Sequence, residues 1–227
     1  IVATSAMSRI LVSWSSGKDS TLALYATLKQ GYTIAGLLTT VNSKENSVTG
    51  HRVPISIIRS IAGSLGFPLY EIYLPEDLPP KGVYESIMLN HLVSLKKELG
   101  IDGIAFGDIF VRDMIEYKET LLGKIGLKAI YPLLGLDSMT ILNMFLTLGF
   151  KAIIVAIDYK KIPYGVLCSE LDMKFISLIP TVWDKCGEYG EYHTLVYDGP
   201  VFRKYIKLSI EGYERIENRV YCKVKSM

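Results

Sequence analysis

The sequence predicts an α/β protein: a parallel β-sheet covered on both faces, followed by a smaller α+β portion. Two observations predict it. Short runs rich in β-branched and aromatic residues alternate with helical periods up to about residue 133, the pattern of successive βαβ units. Beyond that the alternation drifts into a Tyr- and Gly-rich stretch and a tail with strand-like alternation.

In order, Ile10–Trp14 reads as a buried strand, and Asp19–Gln30 as a helix with apolar Leu22, Ala23, Ala26 and Leu28, closed by Gly31. Thr33–Val41 is a second strand, and Pro54–Leu65 a helix with Pro in its first turn and Gly66 at its end. Leu69–Leu74, Gly103–Gly107 and Lys128–Leu133 read as strands, separated by helices over Gly82–Leu99 and Arg112–Ile125. Asp137–Leu148 is a further amphipathic helix capped by Asp137 or Ser138. Lys151–Asp158 is one more strand, and Lys204–Lys225 alternates like an antiparallel hairpin. The expected division is 7–132 and 133–227. Residues Ile1–Ala6, ahead of Met7, read as an expression remnant or a frayed end and are set aside.

Composition narrows the function classes. Of 227 residues 49% are apolar and 21% charged, which suits a folded globular chain and excludes disorder. Mean hydropathy is +0.27, yet stretches such as Ala152–Ile157 are far shorter than the roughly 20 residues a bilayer requires. Ile10–Val12 is also too short for a secretory h-region. Net charge is +2, from 25 basic and 23 acidic residues, and no basic stripe of the kind that marks a nucleic-acid binder is evident. Cys168, Cys186 and Cys222 are widely spaced and form no CxxC. That spacing argues against a disulfide framework or a structural zinc site and suits the cytoplasm. The apolar content permits a homodimer.

The most informative segment is Ser15-Ser16-Gly17-Lys18-Asp19-Ser20, between the first strand and the first helix. Small residues let backbone N–H groups approach phosphate oxygens, and the helix start supplies free amides and a positive dipole end. Ser15 and Ser20 add hydroxyls and Lys18 a point charge. Asp19 is placed either to cap the helix or to help hold Mg²⁺. The same residues would also make a strand-to-helix turn without a ligand. A second candidate is Cys186-Gly187-Glu188-Tyr189-Gly190-Glu191-Tyr192-His193-Thr194. Two Gly-Glu pairs set two carboxylates on a turn, where they can hold Mg²⁺, accept an amine proton or bind ammonium, or stay solvated. His193 and His51 could equally be structural, and Tyr189 and Tyr192 could stack on substrate or pack.

Neither GxxxxGK[ST] nor GxGxxG fits the first loop. It resembles the SGGxDS loop of the PP-loop ATP pyrophosphatases, with Ser16 where that family usually has Gly; if the position needs positive φ, Ser costs about 1 kcal/mol. The Gly-Glu motif, with Val196-Tyr197-Asp198-Gly199-Pro200 after it, resembles the GE-x-GE-[FY]-x-T stretch of the diphthine–ammonia ligase family. Gly50-His51-Arg52-Val53-Pro54, Phe106-Gly107-Asp108-Ile109 with Glu116-Tyr117, and Leu148–Ala152 agree with it in order and spacing, although Arg52 replaces a usual Gly. The similarity runs from Ser8 to about Phe202 and leans toward the family's bacterial branch.

This resemblance implies an adenine-nucleotide α-hydrolase-like domain and a smaller C-terminal domain. It implies an enzyme that uses ATP and Mg²⁺ to adenylate a carboxylate, releasing pyrophosphate, and then amidates it with ammonia. Lys18, Asp19, Glu188 and Glu191 would be catalytic. Ser15, Ser16, Gly17, Lys18, Asp19, Ser20, Thr39, Gly107 and Asp108 would bind the nucleotide, with Asp19 toward Mg²⁺. Gly187, Glu188, Gly190, Glu191, His193 and Thr194 would face the acceptor, either diphthine on elongation factor 2 or a small-molecule acid. The alternatives are a PP-loop tRNA-modifying enzyme and a non-catalytic adenine-nucleotide-binding module. The first lacks support from paired cysteines or an added tRNA-binding domain, and the second would not need the Gly-Glu motif.

Overall fold

The computed structural model describes residues 8–227, so the segment Ile1–Ala6 lies outside the described residues. Five parallel strands run in the order β4-β2-β1-β5-β6: β1 (Arg9–Ser13), β2 (Thr33–Asn42), β4 (Leu69–Leu74), β5 (Gly103–Ala105) and β6 (Lys128–Ile130). A two-residue strand β3 (Ser47–Val48), absent from the sequence reading, pairs antiparallel with the end of β2. Helices α1 (Lys18–Lys29), α2 (Ile55–Leu65), α3 (Lys81–Leu99) and α4 (Arg112–Gly123) link the strands. Gly66 and Gly100 end α2 and α3 in left-handed conformation, as their positions in the sequence predict.

After α5 (Ser138–Thr147), whose cap is Asp137 accepting from Thr140 N, comes a second sheet. Its order is β8-β7-β10-β9, all antiparallel: β7 (Lys151–Asp158), β8 (Tyr192–Asp198), β9 (Leu208–Ile216) and β10 (Arg219–Ser226). The mixed segment between β7 and β8 holds a short 3₁₀ turn at Tyr164–Val166 and α6 (Met173–Leu178), capped by Asp172. The expected class holds: a parallel-sheet α/β domain with a smaller C-terminal unit.

Apolar burial explains why the sheet is covered twice. On one face Leu11, Leu38 and Ile104 pack with Met88 and Leu92 of α3 and Leu121 and Leu122 of α4. On the other, Ile10, Val12 and Leu37 pack with α2 and with Val155, Leu195 and Val224 of the second sheet. A further cluster joins Leu22 and Ala23 of α1 to α5, β7 and α6. Both sheets therefore share buried layers.

Cys168 and Cys222 form a disulfide, with Cα atoms 5.5 Å apart, which corrects the reading of the cysteines as unpaired. The chain after the 3₁₀ turn doubles back along β7, where Cys168 N donates to Ile154 O and Ile154 N to Ser169 O. This return brings Cys168 beside β10, a juxtaposition created by tertiary structure across 54 residues. Cys186 remains a buried thiol.

Candidate functional site

The order of the parallel strands puts a switch point beside β1: the chain leaves it toward β2 on one side, while β5 lies on the other. Open α/β sheets bind ligands at the carboxyl ends of strands flanking such a point. A cavity of ≈ 390 Å³ lies there, lined by the loop after β1, Thr39 and Thr40 of β2, and Phe106, Gly107 and Asp108 after β5. Gly187, Glu188, His193 and Thr194 complete its wall from the C-terminal unit, and α3 and α4 contribute Met88, Leu92 and Lys118. One end is therefore polar and the other apolar, within the size range of small-molecule sites.

The loop after β1 is fixed by the second sheet. Ser16 takes φ 63, the left-handed region that favours Gly. Its carbonyl accepts from Val196 N at 2.8 Å and its hydroxyl donates to Val196 O at 3.2 Å. Fully buried, Ser16 does not line the cavity, so its expected contact with phosphate is corrected to a scaffolding role. Lys18 N donates to Thr194 Oγ1 at 2.9 Å, and Thr21 N to Gly17 O at 3.0 Å. The first-turn amides of a helix have no intrahelical partners, and among the described residues those of Asp19 and Ser20 find no other backbone acceptor, so both stay free to donate. Gly17 caps α1 without a side-chain bond, and Asp19 does not cap. Ser20 Oγ donates to Gly17 O and stands 3.4 Å from Ser15 Oγ.

Gly107 shows why a Gly follows β5. A Cβ there would stand 2.7 Å from Asp19 C and 2.8 Å from Ser20 N, against backbone that cannot yield. Any side chain would push α1 away and cover an unclaimed amide.

The charged groups are mutually engaged. Lys18 is only 3% exposed. Its Nζ donates to Asp19 Oδ2 at 2.7 Å and to the Cys186 carbonyl, and lies 5.1 Å from the Tyr192 ring centre. Burial acts against its charge, but Asp19 foremost, then Cys186 and Tyr192, outweigh it and hold its pKa well above the ordinary lysine value. Lys118 Nζ contacts both Asp108 oxygens at 2.6 Å. Lys118 escaped the sequence reading because a lysine on an amphipathic helix reads as part of a solvated face. Glu188 Oε2 accepts from Ile109 N at 3.4 Å, and desolvation by burial, then the Asp19 charge, raise its pKa to about 7. Burial, its largest influence, likewise raises the Cys186 thiol.

The two Gly-Glu pairs diverge. Gly187 and Gly190 both have left-handed φ, 78° and 74°, in consecutive turns. Glu188 turns into the cavity, whereas Glu191, 1% exposed, accepts from Tyr189 N at 3.0 Å and lies 3.8 Å from Lys161 Nζ. Neither Gly190 nor Glu191 lines the cavity, which corrects their expected place toward the acceptor. Gly190 instead offers its carbonyl to Arg219. Tyr192 is packed, its hydroxyl donating to Lys185 O at 2.8 Å.

His51 and His193 stack with ring centres 4.5 Å apart. Burial lowers the His51 pKa to about 4 and holds that of His193 well below its ordinary value, so both are neutral near pH 7. Arg52, where a Gly would be usual, adopts φ 55. It pairs with Glu45 at 2.7 Å and lies over the Tyr221 ring of β10.

Among the described residues no cluster of three metal-ligating side chains is present. The donor set still suits Mg²⁺, which takes one or two carboxylates plus substrate phosphates and waters rather than a full protein cage. Asp19 and Asp108 line the cavity, and their charges both act on Glu188. Among the described residues no helix is long and apolar enough to cross a membrane.

Fold and cavity define a class, parallel α/β proteins with helix-terminal amides exposed at the sheet's switch point. Within it, the chain belongs to the diphthamide synthase family: models of the diphthamide synthase N-terminal and C-terminal domains match residues 8–129 and 137–227. Diphthine–ammonia ligase of Danio rerio is 23% identical over 221 residues, covering 89% of this chain and 86% of the fish protein. Diphthine–ammonia ligase of Schizosaccharomyces pombe is 34% identical over 114 residues, 48% of this chain and 19% of the yeast protein. A solved structure from Methanocaldococcus jannaschii, described as a predicted subunit of tRNA methyltransferase, superposes with TM-score 0.44 at 20% identity, covering 64% of this chain and 77% of that one.

Proposed function

We propose that the chain is an ATP-dependent ligase that adenylates a substrate carboxylate with release of pyrophosphate and amidates it with ammonia. The observation that carries this reading is the meeting, in one cavity of a diphthamide synthase family member, of the Asp19 and Ser20 amides with a half-buried carboxyl, Glu188. The amides and the Ser15 and Ser20 hydroxyls would hold the triphosphate. Thr39 and the apolar wall at Met88 and Leu92 would take the adenine. Mg²⁺ on Asp19 and Asp108 would neutralise the leaving pyrophosphate.

The acceptor carboxylate oxygen attacks the α-phosphorus, and the bond to the β-phosphate oxygen breaks. Ammonia then attacks the acyl carbon, and AMP leaves with the electron pair of the C–O bond. The proton lost from nitrogen goes to Glu188, whose pKa of about 7 suits acceptance and release near neutrality. Glu191 takes no part. Lys18 stabilises the loop from behind through Asp19 and the Cys186 carbonyl.

The relatives' name supports diphthine as the acceptor, and we take it to be presented on elongation factor 2 in the cytoplasm; a small-molecule acid is the alternative. The test incubates the protein with ATP, ammonium and either acceptor, and analyses the nucleotides. AMP and pyrophosphate formed in step with amide are expected. ADP and phosphate as products would refute the mechanism.

A further inference from the structure

We propose that Lys118 is the residue whose charge meets the nucleotide's phosphates, and that it leaves Asp108 to do so. The inference rests on the ATP-binding reading above and assigns a residue that reading does not use. Among the described residues, only two lysines and no arginine line the cavity. Lys18 is sealed: turning it outward would strand the Cys186 carbonyl and the Asp19 carboxylate that its ammonium contacts. Lys118 keeps 22% side-chain exposure and a flexible four-carbon stem.

Its position is right for the task. Asp108, its partner, directly follows Gly107, whose backbone abuts Asp19 and Ser20 where the unclaimed amides lie. The Lys118 ammonium also lies 4.8 Å from the Phe106 ring centre, and Phe106 lines the same cavity. A polyphosphate carries more negative charge than one carboxylate, so exchange of partners gains Coulomb energy. Asp108, once released, joins Asp19 as an oxygen donor for a hard divalent cation. The cavity wall thus holds its cation and its anion clasped together, and the nucleotide with its metal would part them.

Calorimetric titration of the full chain with ATP, inorganic pyrophosphate and adenosine tests this. Lys118→Met is expected to weaken ATP and pyrophosphate at least tenfold and adenosine far less, while Lys118→Arg recovers most of the loss. Asp108→Asn, by freeing Lys118, is expected to tighten pyrophosphate several-fold without Mg²⁺ and to lose the gain that Mg²⁺ gives the wild type. Equal losses for adenosine and ATP in Lys118→Met would show that the pair only shapes the pocket, and would overturn the proposal. So would weaker metal-free pyrophosphate binding by Asp108→Asn, a variant that serves even if Lys118→Met does not fold. A wild-type chain that binds neither ATP nor pyrophosphate would overturn the ATP reading and this inference together. Unchanged ATP and pyrophosphate affinity in Lys118→Met, with the wild type binding both, would overturn this inference alone.

Discussion

Gly187-Glu188-Tyr189 and Gly190-Glu191-Tyr192 are the same three residues in succession, yet the fold treats them oppositely. In the first triplet the carboxyl reaches the cavity and the tyrosine is 62% exposed; in the second both side chains are within 2% of complete burial. The glycines have nearly the same φ, so local conformation is not the cause. The second triplet enters β8, and the strand's pairing with β7 commits Tyr192 to the core beside Phe175 and Lys18. Repetition in sequence therefore carries no repetition of placement: the first triplet presents its carboxyl to the cavity, and the second buries both side chains.

Substitutions can separate the two halves. The largest effect is expected at Tyr192→Ala, which removes a fully buried ring and the partner of Lys18, for a loss of about 3–5 kcal/mol in chemical denaturation. Glu188→Gln should leave the fold intact and slow amide formation about 10²-fold or more; comparable rates in both proteins would remove Glu188 from the chemistry. The same variant gives a pH signature. Because the Glu188 pKa is raised from 4.5 to about 7, its destabilising charge is absent below pH 4.5 and complete above pH 7. Glu188→Gln should therefore gain stability over the wild type as pH rises through that window, by ~2 kcal/mol after allowance for partial exposure. Glu191→Gln weakens the partner of Lys161 and of Tyr189 N and should cost about 1–2 kcal/mol. Tyr189→Ala should change the melting midpoint least, by less than about 0.5 kcal/mol in stability.

Local pattern carried the strand and helix alternation, because period and capping are short-range signals: Gly66, Gly100 and Asp137 end or start helices where the sequence places them. Much of the cavity lining was legible from the same source, since loops after β1 and β5 must meet at a switch point. What escaped was set by distant partners. The two-residue β3 needs β2, and Cys168 meets Cys222 only after the chain doubles back. Ser16 faces Val196, 180 residues away, so its hydroxyl could not be assigned from its neighbours. The divergence of Glu188 and Glu191 depends on β8 in the same way.

The bond between Ser16 and Val196 also bears on solubility. β8 pairs with β7 on one side, and among the described residues no strand pairs with its other side; there the loop after β1 supplies Ser16 as a hydrogen-bonding partner. An unpaired strand edge is a template for association with other chains. The loop after β1 thus also blunts an edge. A substitution that unseats Ser16, such as one with a β-branched residue unsuited to φ 63, should be noticed first as self-association of the protein and only then as a loss of turnover.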